Sequence, residues 1–276
     1  MSDLSTDRQR MPAQLALVLP VAVGGFWMAW AEAPARYTST NALALSVVIP
    51  WVLWGRGPHT ASSRHILAAV LIAIMLAAVW VGPEATSITQ HTVRRWFPLG
   101  PISLHTGMLV TPALCILAAR NRVLAAPLLL AGIGAALLQP DAATGFALTF
   151  AAVGLHHVKR DWRVGGTAIV GFFASLWMAV RGEMPPQPFV ENVLTQAAEG
   201  SIAFAVLLAA SMVASFCLIL FAIPFDRAKR FTLAGLFFGF VVTALMAPYP
   251  MPLIGYGAAP ILGFGLALGL HRIPLR

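Results

Sequence analysis

Charge is what this sequence has least of. Only 10% of its 276 residues are charged, against about a quarter in an ordinary soluble domain, so it lacks the polar surface that a water-facing globule needs. Acids are the scarcer sign, with 10 Asp and Glu against 18 Lys and Arg. The two cysteines, Cys115 and Cys217, both sit inside apolar runs, which reads as small buried apolar residues rather than a disulfide or a metal pair. No zinc spacing, P-loop, nucleophile elbow or dinucleotide fingerprint occurs. The apolar runs do not alternate with period two, which argues against a β-barrel. A net charge of +8 would suit nucleic acid in a soluble protein. In a chain this apolar it is better read as the basic bias of cytoplasmic loops, with no nucleic-acid partner.

What the chain does have is long apolar runs. It is 59% hydrophobic with a mean hydropathy of +0.80. A spanning helix needs about 20 mostly apolar residues. Ten candidate spans can be placed, at about 12–31, 42–55, 65–82, 103–119, 123–139, 142–158, 164–180, 201–223, 231–247 and 252–270. The expected fold is all-α and polytopic, one transmembrane domain over 1–276. The polar start, Met1 to Arg10, precedes a first run long enough to stay in the membrane, so no cleavable signal peptide is expected.

With the N-terminus in the cytoplasm, only Arg36, Arg94, Arg95 and Arg181 of the 18 basic residues fall in outer joints. That bias supports ten crossings and two cytoplasmic ends.

Polar groups at membrane depth are costly and are candidates for function. Gln139-Pro140-Asp141 falls between the fifth and sixth spans at the outer face. Proline stops the helix, and Asp141 can cap the next one or point into an outer cavity. Arg94-Arg95-Trp96 lies in a long outer joint. Two outer arginines run against the basic bias; they can grip an anion with paired hydrogen bonds or anchor at headgroups. The second long outer joint carries Glu183, Glu191 and Glu199. The segment from Val190 reads as helix, with Asn192, Thr195 and Glu199 on one face. Such carboxylates can bind a cation or act as a base, or can simply favour a helix start. The Pro-rich stretch Ala247 to Pro260 cannot be plain helix, and irregular backbone at this depth belongs against a cavity or protein. His156 and His157 read as cytoplasmic interface residues, while His105 starts the fourth span on the outer side.

Four segments carry a resemblance. Arg94-Arg95-Trp96-Phe97-Pro98-Leu99-Gly100-Pro101 resembles the Arg-Trp-x-x-Leu-Gly segment of the SEDS family, the RodA/FtsW/SpoVE membrane proteins of cell-wall synthesis. Gln139-Pro140-Asp141-Ala142-Ala143-Thr144 is similar to its Gln-Pro-Asp-x-Gly-Thr. Pro250-Met251-Pro252-Leu253-Ile254-Gly255-Tyr256-Gly257 resembles its Pro-Leu-Pro-Phe-Ile-Ser-Tyr-Gly-Gly, and Ala198-Glu199-Gly200 a shortened Ala-Glu-Glu-x-Gly. The four occur in the family's order.

The resemblance implies a ten-helix SEDS-like bundle in the bacterial inner membrane. It also implies glycosyl transfer on lipid-linked peptidoglycan precursor at the outer face, beside a single-span class B penicillin-binding protein. On that reading Glu191 and Glu199 are the catalytic candidates. Arg94, Arg95, Trp96, Asp141 and Tyr256 would bind substrate, and positive charge or a divalent cation (Mg or Mn) would meet the leaving pyrophosphate. His105-Thr106-Gly107-Met108 stands where the family has Gln-Pro-Ser-Glu, and the loop before the eighth span is short. A catalytically inactive SEDS-like scaffold is therefore the alternative, and a lipid or small-molecule transporter the third reading.

Overall fold

The computed structural model describes residues 2–100 and 102–270, with side chains from residue 9 onward. The protein is an all-α polytopic membrane protein. Its long helices are α1 (Ser2–Trp30), α2 (Ala35–Trp54), α3 (Ala61–Val81), α4 (Thr106–Arg120), α5 (Ala125–Leu138), α6 (Ala142–Lys159) and α7 (Trp162–Gly182). A short α8 (Val193–Gly200) leads into α9 (Ile202–Cys217), which ends in a π-helical turn at Leu218–Ala222, and α10 (Arg227–Met246) and α11 (Ala258–Gly269) follow. Each of the ten apolar segments is met by a helix. Among the described residues five helices are long and apolar enough to cross a membrane, and α4, α5 and α11 are shorter apolar helices. Of the residues used to place both ends inside, the Arg8 side chain, Arg272 and Arg276 lie outside what is described, as do Pro101 and His271.

Helix α4 is the axis of the bundle. Nearly all of it from Thr106 to Ala119 is buried, which a helix apolar on every side requires. It packs against α3, α5, α6, α10 and α11, so whatever sits at its N-terminus sits at the centre of one end of the bundle, the end that the charge bias predicts to be the outer face. The interior hydroxyls need no polar pathway. Thr111, Thr149, Ser175 and Thr243 each donate to a carbonyl one turn back, and that carbonyl belongs to a glycine in every case.

Three features depart from the sequence expectation. The joint between α3 and α4 folds into two small antiparallel hairpins, β1 (Ala85–Thr86) with β2 (Thr92–Val93), and β3 (Trp96–Leu99) with β4 (Ile102–His105). Gly100 turns the second at φ +59, a left-handed conformation that glycine adopts freely. Helix α8 starts at Val193, not Val190, because Asn192 is itself left-handed at φ 54. Cys115 is buried as expected, but Cys217 is exposed on the bundle's outer surface. The apolar medium outside a membrane helix suits a thiol as well as the core does.

Candidate functional site

The outer polar cluster is assembled by the second hairpin. Its register sets Trp96 opposite His105. The carbonyl of Arg95, one residue earlier, then meets the start of α4, accepting from Thr106 N (3.0 Å) and Thr106 Oγ1 (3.1 Å). The Arg95 side chain is only 2% exposed and reaches two ways. Nη2 donates to the Gly182 carbonyl at 2.5 Å, and Nη1 lies 3.7 Å from Asp141 Oδ1. Its guanidinium also faces the rings of Trp96 (5.1 Å) and Tyr249 (5.3 Å).

Asp141 is fully buried, and the proline-stopped turn makes it the N-cap of α6, as the sequence suggests. Thr144 N donates to Oδ1 at 3.3 Å and Thr144 Oγ1 to Oδ2 at 2.5 Å. Its other neighbour is His105 Nε2, 3.5 Å from Oδ2. His105 Nδ1 accepts from Met108 N and so caps α4, which leaves the proton on Nε2 facing the carboxylate. The N-terminal ends of α4 and α6 thus both bring positive partial charge to Asp141.

Gly107 permits this convergence, since a Cβ there would lie 1.8 Å from Thr144 Oγ1 and 2.9 Å from Asp141 Oδ2. Gly182 does the same for α7, where a Cβ would meet the Pro140 carbonyl at 1.7 Å. Gln139, also fully buried, ties the turn down by donating to the Met75 carbonyl and accepting from Thr106 Oγ1.

Two loops at the same end are latched to each other, the second bringing Tyr249 against Arg95. In the first, Glu191 accepts from Gln187 N at 2.6 Å. Gln196 staples the same loop, accepting from Phe189 N and donating to the Glu191 carbonyl. The loop then bonds to the Pro-rich segment through Met251 N to Val190 O (2.9 Å) and Tyr256 N to Phe189 O (2.7 Å). Phe189 packs among Trp27 and Tyr37. Asn41 of α2 clamps the Pro-rich segment from below, donating to Gly255 O and accepting from Gly257 N. Phe189, Asn192 and Leu253 hold positive φ in these loops, a cost that the surrounding contacts must offset.

The seven site candidates therefore divide. Arg95, Trp96 and Asp141 form one cluster, joined by His105. Glu191 is buried beside it, with Arg95 as the cation whose field reaches it. Arg94 turns away to bond the Val79 carbonyl and pair with Glu84. Tyr256 stacks on Tyr37 at 3.8 Å. Glu199 is exposed on the last turn of α8.

Among the described residues no group of three His, Cys, Asp or Glu side chains could hold a metal ion. Arg95 already stands at the Asp141 carboxylate, so the cluster does not suit a divalent cation. Arg95 Nε and His105 Nε2 are buried without a hydrogen bond. Two open pockets lie elsewhere. One of 280 Å³ is lined by apolar residues such as Trp51, Leu71 and Leu266 at the inner side, and one of 230 Å³ is lined by Val79, Thr92, Arg94 and Leu138.

Burial raises the Glu191 carboxyl from 4.5 to about 7, against the opposing pull of the Gln187 N–H and of Arg95. An unfolded chain ionises this group near 4.5, so between these values the folded state holds an extra proton and stability falls as pH rises. The thermal midpoint in detergent should decline from about pH 5 to pH 7 and level off above. Glu191→Gln should flatten that slope; a slope that survives in the variant belongs to another group.

Neither a family model nor a curated protein matches the sequence. Solved structures do. The rod shape determining protein RodA of Thermus thermophilus is 17% identical, with a TM-score of 0.62 and 92% of each chain covered. An aspartate-to-alanine variant of it is 19% identical, with a TM-score of 0.64 and 93% of each chain covered. The chain takes the SEDS-family fold along nearly its whole length.

Proposed function

We propose that the protein serves cell-wall synthesis in the bacterial inner membrane, as a SEDS-like scaffold that crosses ten times with both ends in the cytoplasm. It would meet lipid-linked peptidoglycan precursor and a single-span partner of the class B penicillin-binding type at its outer face. The observation that carries this reading is the convergence of Arg95, Asp141 and His105 on the outer end of α4, with the field of Arg95 reaching Glu191, in a bundle where the interior hydroxyls of Thr111, Thr149, Ser175 and Thr243 are satisfied within their own helices. That arrangement fits work at one face and offers no route across, which disfavours a transporter.

Glycosyl transfer needs a carboxylate free to take a sugar hydroxyl proton. Here Asp141 is held by Arg95 and Thr144, Glu191, in one of the two latched loops, is spent on the Gln187 amide, and Glu199 stands apart. These engagements favour the scaffold over the polymerase. One observation favours the second reading: Glu191, near 7 and close to Arg95, can lose its proton at working pH. As a base it would take the hydroxyl proton while Arg95 met the departing pyrophosphate.

Purified protein supplied with lipid-linked precursor, alone and with a single-span partner, separates the two readings. The scaffold is expected to co-purify with the partner and to yield no polymer. Polymer that forms with the parent chain and is lost in Glu191→Gln would overturn it in favour of the enzyme.

A further inference from the structure

The basic residues of the inner face are not spread evenly around the bundle. Among the described residues they crowd at the inner ends of α4, α6, α7 and α10, which are packed together, and two kinds can be told apart there. Four are used by the fold. Arg120 donates to the Leu270 carbonyl, Lys159 to Ala119 O, Arg230 to Phe221 O, and Lys229 pairs with Asp226. The other four, Arg122, Arg160, Arg163 and Arg227, are exposed and form no ion pair among the described residues. The carboxylates nearby, Asp161 and Asp226, are occupied as N-caps of α7 and α10. Across the inner face stand, among the described residues, only Arg56 and Arg64 of the joint between α2 and α3, and Arg10 of α1, which donates to the Val52 and Gly55 carbonyls. Insertion topology needs basic residues on this side; it does not need them in one quadrant.

Arg160 is the C-cap of α6 with φ 53 and ψ 33. This left-handed position is the one that glycine fills without cost, and a residue with a Cβ pays about 1–2 kcal/mol there. An arginine at that corner is a poor choice for stability and a good one for holding a charge clear of the helix end. Its surroundings are those of a headgroup layer. Trp162 (77% exposed) lies under the Arg163 guanidinium at 5.7 Å, and Val123 is 70% exposed beside Arg122. Arg227 lies over Phe231, on which His157 stacks. Exposed apolar groups interleaved with unpaired guanidinium groups match a lipid surface, with chain below and phosphate above. A soluble acidic protein would not need the apolar half.

We infer that this quadrant is a binding site for anionic phospholipid headgroups of the inner leaflet, with Arg122, Arg160, Arg163 and Arg227 meeting the phosphates. The site is independent of the outer cluster and of any role in wall synthesis.

Thermal unfolding of the full chain in detergent micelles doped with phosphatidylglycerol or with phosphatidylcholine tests it. Phosphatidylglycerol should raise the midpoint by about 3–5 °C over phosphatidylcholine. The variant Arg122→Gln/Arg160→Gly/Arg163→Gln/Arg227→Gln should lose most of that shift, and Arg56→Gln/Arg64→Gln should keep it. Arg160→Gly alone guards against a folding defect. It should match or exceed the parent in phosphatidylcholine yet gain less from phosphatidylglycerol. Equal midpoints of the parent in both lipids would overturn the proposal. So would a full shift in the fourfold variant, or an equal loss in the Arg56/Arg64 pair.

Discussion

Asp141→Ala is expected to cost about 3–5 kcal/mol of stability, the usual penalty for removing one partner of a buried ion pair. The carboxylate is fully buried and Arg95 is 2% exposed, so no solvent can replace the lost charge. Arg95 would keep the Gly182 carbonyl but lose its counter-charge, and His105 would lose the acceptor facing Nε2. The N-cap of α6 would go as well, a further ~1 kcal/mol. In a chain of this size the thermal midpoint should fall by roughly 6–15 °C.

Asp141→Asn should lie between the parent and Asp141→Ala, because the amide oxygen can still accept from Thr144 N while the charge is gone. Arg95→Met placed on Asp141→Asn should recover part of the loss, since it removes the stranded cation. A double-mutant cycle in detergent reads this directly. Asp141→Ala unfolding within a degree of the parent would show that the pair holds nothing together.

The sequence made the long helices legible because each carries an apolar run, and Asp141 legible because Pro140 forces a stop just before it. It could not tell Arg94 from Arg95. Neighbours on extended backbone point to opposite sides, and only the pairing of Trp96 with His105 decides which arginine turns inward. The hairpins were invisible for a related reason, since strands of two to four residues are too short to show an alternating pattern. Glu191 was visible as a carboxylate near a membrane mouth. Its use to tie down the Gln187 amide was not, because that bond depends on a turn closed from outside by Gln196 and the Pro-rich segment. Gly107, Gly182 and Asn41, which let the site close, carry no signal in a single sequence. Their importance lies in what would collide with an added Cβ, or in a bond made 214 residues away.

Gly239→Leu should also be strongly damaging, and at a place with no charge at all. Helices α6 and α10 touch along glycine and alanine. A Cβ on Gly239 would stand 2.5 Å from Ala147 Cα, one on Gly235 2.3 Å from the Phe150 carbonyl, and one on Gly154 2.3 Å from the Phe231 carbonyl. Gly235 and Gly239 are four apart, as are Ala143, Ala147 and Ala151 on the facing helix, all three of them fully buried. Lipid is as apolar as a leucine side chain, so association between membrane helices rests on such close backbone contact rather than on expelling water. What meets the new side chain is backbone, which cannot rotate aside, so the helices must part.

Overpacking typically costs 1–3 kcal/mol, and here contacts along the whole seam are lost in addition, so about 3 kcal/mol or more is expected. Gly239→Ala should show a smaller fall in midpoint, and Leu245→Ala, at a 58% exposed position of the same helix, almost none. Equal midpoints for Gly239→Leu and Leu245→Ala would mean that the seam contributes little. Because α6 carries Asp141 at its outer end, parting the seam should also draw that carboxylate away from Arg95 and His105. Gly239→Leu and Asp141→Ala should therefore combine to less than the sum of their separate effects.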